Sequence, residues 1–88
     1  MNITALIFAR KIESYTGTAY DRETRTLLDV PRARYVAGDV IGRVALSTDG
    51  LYYVVSMTGT RLDPTGQPTR TRAMLAARRV FGKAVIVR

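Results

Sequence analysis

Neither histidine nor cysteine occurs among the 88 residues. That removes the commonest general base, the commonest metal ligand and the thiolate nucleophile. Catalysis would have to rest on carboxylates, Lys, Ser, Thr or Tyr. The seven acids, Glu13, Asp21, Glu23, Asp29, Asp39, Asp49 and Asp63, are scattered. Asp29, Asp49 and Asp63 stand at turn or cap positions, where local hydrogen bonding accounts for them. Asp21 and Asp63 hold equivalent places in two similar segments, so a shared Mg²⁺ is one arrangement. A repeated turn aspartate is the plainer one. No Walker, Rossmann or nucleophile-elbow pattern is present. The reading is a non-enzymatic protein with no cofactor and no metal.

What the chain does offer is positive charge. Fourteen basic residues face seven acidic ones, a net charge of +7. All but Lys11 and Lys83 are Arg, whose planar fork binds phosphate or carboxylate bidentately and stacks on rings. From residue 64 onward there are Arg70, Arg72, Arg78, Arg79, Lys83 and Arg88, and no acid. One-sign charge of this kind points to a polyanionic partner or an acidic protein surface. A solvated face in an Arg-rich chain is the bland alternative. Leu75, among Arg72, Arg78 and Arg79, has the character of an interface anchor with a basic rim.

A stacking group would strengthen the case for single strands. Gly50-Leu-Tyr-Tyr-Val-Val partly resembles, over about eight residues, the third-strand motif of RNA-recognition domains, which present rings on a ferredoxin-like sheet. Gly50 and Tyr53 fit it. Asp49 replaces the motif's leading basic residue, and Ser56 falls where an aromatic is usual. The resemblance makes Tyr53 a candidate contact; a core or edge tyrosine with its hydroxyl at the surface is the other reading.

The elements that would position these residues follow from local pattern. Ile3–Ala9 is a continuous apolar run, read as a buried strand, and Leu51–Met57 is a second. Asp21-Arg22-Glu23-Thr24 suits the turn of a small hairpin returning over Arg25–Val30. Ser47-Thr48-Asp49-Gly50 is a tight-hairpin signal. Residues 71–81 read as a helix, capped by Thr69 or Thr71 and stopped by Gly82. Its apolar face holds Ala73, Met74, Ala76, Ala77, Val80 and Phe81, and Arg72, Leu75, Arg78 and Arg79 share the other. Pro31–Ala37, between Pro and Gly38, reads as a shorter helix. Asp39–Ser47 and Lys83–Arg88 close the two halves as strands.

Those halves look alike. Ser14–Asp21 matches Ser56–Asp63, Thr24–Thr26 matches Thr69–Thr71, and Ala33–Gly38 matches Ala77–Gly82, in order and near half-length spacing. The expectation is one α+β domain over 1–88, ferredoxin-like βαββαβ, from an internal duplication with units 1–47 and 48–88. A small β-rich barrel with one C-terminal helix is the alternative. No apolar run approaches the roughly 20 residues of a membrane span, and the first ten residues lack signal-peptide character. The expected setting is cytoplasmic, without membrane.

The expected function is contact with nucleic acid or a ribonucleoprotein through Arg70, Arg72, Leu75, Arg78, Arg79 and Lys83, with Tyr53 in support. The alternative is a phage or mobile-element accessory. Such a protein would bind a host protein complex, as anti-CRISPR inhibitors do, or serve as a small virion component. Size and missing chemistry, not a motif, motivate it. A homodimer is compatible with either reading.

Overall fold

Residues 2–88 are described by a computed structural model. It has strands β1 (Asn2–Asp21), β2 (Thr26–Leu46) and β3 (Tyr52–Ser56), helix α1 (Arg70–Phe81) and strand β4 (Val85–Val87). All pairings are antiparallel, in the order β3-β2-β1-β4.

The first two strands set the shape. Asp21 Oδ1 accepts the Glu23 backbone N–H at 2.9 Å, and Arg25 takes the left-handed conformation at φ 55°. That turn returns the chain at Thr26, as expected for a hairpin here. The return strand does not stop at Val30. It pairs unbroken with β1 from Asp21↔Thr26 to Arg10↔Ala37. There the register shifts twice, between Arg10 and Phe8 and between Phe8 and Ile7. A Cβ on Gly38 would lie 2.6 Å from the Ala9 carbonyl oxygen, so this irregularity requires glycine. Beyond the bulge, β3 and β4 flank the ribbon.

The result is a head and an arm. The chain measures 63 × 22 × 19 Å, with a radius of gyration of 18.7 Å. A compact domain of this length would have about 12 Å. The core lies wholly in the head. On one sheet face, Ala73, Ala76 and Ala77 of α1 pack on Ala5, Ile7, Val44, Val54, Val85 and Val87, with Ile41, Tyr52, Met74 and Phe81 around them. Small alanines let the helix sit close. Gly42 makes room as well, since a Cβ there would meet the Phe81 ring at 2.9 Å. On the opposite face, Ala45, Tyr53, Val55 and Leu51 form a smaller cluster.

The loop after β3 covers that strand's outer edge. Leu62 donates to Val54 O, and Tyr52 and Gln67 exchange two backbone bonds. An exposed edge is thereby paired rather than left open.

Several expectations need correction. The fold is not ferredoxin-like βαββαβ: it is a mostly antiparallel sheet with one short helix. The architecture keeps the strand-rich, single-helix character of the alternative, as an open sheet. Pro31–Ala37 is strand, not helix. A two-turn helix is marginal without tertiary support, whereas here every residue of the segment faces a partner on β1. The similar segments also diverge: Ser14–Asp21 is strand where Ser56–Asp63 is mostly turn, and Ala33–Gly38 is strand where Ala77–Phe81 is helix. The second hairpin, the capped helix and Tyr52–Ser56 fall where expected.

Candidate nucleic-acid interface

The Thr69 hydroxyl accepts the Arg72 N–H at 3.2 Å and caps α1, which Gly82 ends at φ 82°. With the alanines turned to the sheet, Arg72, Leu75, Arg78 and Arg79 lie on the solvent side. Leu75 is 49% exposed. Lys83 is exposed just past the helix end. Arg78 and Arg79 suit the C-terminal end of the helix dipole; Arg70 and Arg72 crowd positive charge at its N-terminal end, where no acid stands.

The remaining candidates sit apart from that face. Arg70 folds back, its Nε donating to Thr4 O on β1 at 2.8 Å. Tyr53 belongs to the opposite side of the sheet, with 5% of its surface exposed. Its hydroxyl donates to Asp49 Oδ2 at 2.6 Å, and the Arg61 guanidinium lies 3.8 Å from its ring centre. That hydrogen bond holds Tyr53 above its usual range and, with one from Leu51 N–H, holds the Asp49 carboxyl below its own. A ring covered in this way does not present a face to a base.

Most other arginines are occupied within the chain. Arg10 lies on Tyr35 at 4.9 Å, Arg34 on Tyr15 at 5.2 Å and Arg88 on Phe8 at 5.7 Å. Arg43 donates to the Met57 carbonyl. The one ion pair among the described residues is Arg34–Glu13, at 3.1 Å. Arg72, Arg78 and Arg79 therefore face solvent with no carboxylate of the described residues in reach. Sequence reasoning missed Arg22 and Arg25, which are exposed at the arm tip beside Asp21 and Glu23. It also missed the arm's exposed Ile12, Tyr20, Leu27 and Tyr35. Only the turn at residues 21–24 signalled that an arm existed.

Among the described residues there is no group of three or more acids that could hold a metal ion, and Asp63 instead closes a local turn with Thr65 N–H. Among the same residues, no helix is long and apolar enough to cross a membrane. Comparison with known proteins gives no matching family model, no matching curated protein and no matching solved structure.

Proposed function

We propose that this is a non-enzymatic binding protein of the cytoplasm that contacts nucleic acid or a ribonucleoprotein through the outer face of α1. The observation that carries the reading is the set Arg72, Arg78 and Arg79: exposed on one helix face, around Leu75, in a stretch without acids. Phosphate neutralisation needs such unpaired guanidinium groups. Lys83 extends the positive surface.

The test is fluorescence anisotropy with labelled single- and double-stranded oligonucleotides across a salt series. The affinity should fall log-linearly with salt. Arg72→Ala/Arg79→Ala should weaken binding and reduce the salt slope by about two, one for each phosphate that is no longer neutralised. Absence of binding near physiological salt, or binding indifferent to the double variant, rejects the reading.

A second reading has its own support. The arm exposes Ile12 (61%), Tyr20 (60%), Leu27 (71%) and Tyr35 (63%). Apolar exposure on this scale favours a protein partner, as for an accessory that engages a host complex or a virion component. Salt-insensitive association with a protein, abolished by Leu27→Ser/Tyr35→Ser, would favour it.

A further inference from the structure

We propose that two copies of this chain join edge to edge along the arm portion of β1, antiparallel, about a two-fold axis at Thr16. The backbone supplies the first argument. Arg10 donates its N–H to Ala84 O on β4 at 3.1 Å, so its polar groups face away from β2. Direction alternates along an antiparallel strand, and the pairing with β2 is unbroken from Arg10 to Asp21. Ile12, Ser14, Thr16, Thr18 and Tyr20 therefore turn both N–H and C=O to the outer edge. Neither β3 nor β4 reaches them.

The arm's other edge is guarded. By the same alternation Leu27, Asp29, Pro31, Ala33 and Tyr35 face outward on β2, and Pro31, opposite Thr16, has no N–H to give. The β1 edge has no such interruption. Its open length runs from Lys11, just past the last β4 bond, to Asp21, where the strand ends. Thr16 is its midpoint.

A two-fold axis there makes the side chains self-complementary. Lys11 faces the partner's Asp21, at both ends of the ladder. On one face Ile12 meets the partner's Tyr20. Tyr35 already lies across from Ile12, and Leu27 from Tyr20, so four exposed apolar side chains align in a row across four strands. The row also covers an open hollow of about 230 Å³ lined by Ile12, Ala33, Arg34 and Tyr35. On the other face Tyr15 meets the partner's Gly17. A slip of one pair in one direction sets Glu13 against the partner's Asp21; in the other it sets Lys11 against the partner's Ala19. The matched register avoids both.

The chain has no cysteine, so a single one can report the register. Directly opposite residues that exchange backbone bonds lie about 5.5 Å apart at Cα, within disulfide reach. Thr16→Cys should form a covalent dimer under mild oxidation, whereas Ser14→Cys should not, because Thr18 of the partner stands opposite it. Ser14→Cys/Thr18→Cys together should cross-link. The unmodified chain should sediment as a dimer at about 100 μM protein. Lys11→Asp should raise the dissociation constant about tenfold, and Lys11→Asp/Asp21→Lys should restore it, since two exchanged ion pairs replace two repulsions. Monomeric sedimentation overturns the proposal. So does a dimer that Thr16→Cys fails to lock, or that Ser14→Cys locks alone, as another oligomer or another edge would produce.

Discussion

The head and the arm are made of the same two strands, yet they are held by different forces. Residues 2–9 and 39–88 contribute every buried side chain of the core; residues 10–38 contribute none. In the head, the ladder between β1 and β2 is pressed against α1. In the arm it is a bare two-stranded ribbon, supported by its own hydrogen bonds and by cross-strand pairs such as Glu13–Arg34, each worth about 0.2–1 kcal/mol. A ribbon of this kind is marginal in water. The strand that is most secure in the head is therefore the least secure once it leaves it. What the arm lacks in burial, a bound surface can supply.

The largest expected contrast tests that division directly. Ile7 is fully buried beneath the helix, and Ile12, two pairs beyond Arg10 on the arm side of the bulge, is 61% exposed. Ile7→Ala should lower unfolding stability by about 2–5 kcal/mol in a urea titration. Ile12→Ala should stay within about 0.5 kcal/mol when measured on the dilute, monomeric chain. Comparable losses at the two positions would mean that the arm is packed after all.

Glycine provides a second pair. At Gly42 a Cβ would meet the Phe81 ring and the Val55 carbonyl, each at 2.9 Å. At Gly17 the obstacle, at 2.6 Å, is the Arg32 side chain, which is free to swing into solvent. Gly42→Ala should cost about 1–3 kcal/mol, because ring and backbone must shift together. Gly17→Ala should be nearly neutral, within about 0.5 kcal/mol, since the stiffer unfolded chain offsets a small steric cost. Differential scanning calorimetry of the two variants would rank them, and a reversed ranking would contradict the head's close packing.

What was legible in the sequence divides along the same line. The Ser47–Gly50 turn, the Tyr52–Ser56 strand and the Thr69-capped helix are local structures with local signals, and each lies in the head. The solvent face of α1 was legible too, because helical periodicity alone separates its arginines from its alanines. The arm was not. Its strands do not alternate apolar with polar, since neither face of the ribbon is buried, so the period-two signal is missing. Pro31 and Gly38 then imitated the ends of a helix. In the fold Pro31 directs its missing donor to an open edge, and Gly38 permits a bulge. Tyr53 was misleading for another reason. An aromatic in a strand looks alike whether its ring is offered or covered, and what covers it is Arg61, from the loop that follows β3.

The cap of α1 should matter less than the core. Thr69→Ala removes the bond to Arg72 N–H and should cost about 1 kcal/mol by urea titration. It should leave the hydrogen-exchange protection of the arm amides unchanged, because α1 touches only the head. Loss of arm protection on uncapping would show that the two regions unfold as one unit.

The smallest effect expected is a pH dependence that belongs to the head alone. Asp49 accepts from the Tyr53 hydroxyl at 2.6 Å and from Leu51 N–H at 2.9 Å, and the first of these does most to lower its pKa. A carboxyl whose folded pKa is depressed stabilises the fold fully above the ordinary carboxylate range. That contribution is lost as pH falls through the folded value. Tyr53 is displaced the other way, chiefly by the same bond, so its contribution is complete below the ordinary tyrosine range and is lost at strongly alkaline pH. Asp49 stands exposed to solvent, which screens its side of the pair, so the change should be small in each direction. Asp49→Asn and Tyr53→Phe should each flatten both limbs of a thermal-stability profile, because either change removes the bond that displaces the two groups. Arm substitutions such as Ile12→Ala should leave both limbs in place. If Asp49→Asn retains the full acid limb, the lock between Asp49 and Tyr53 is not what holds the β2–β3 turn against the sheet.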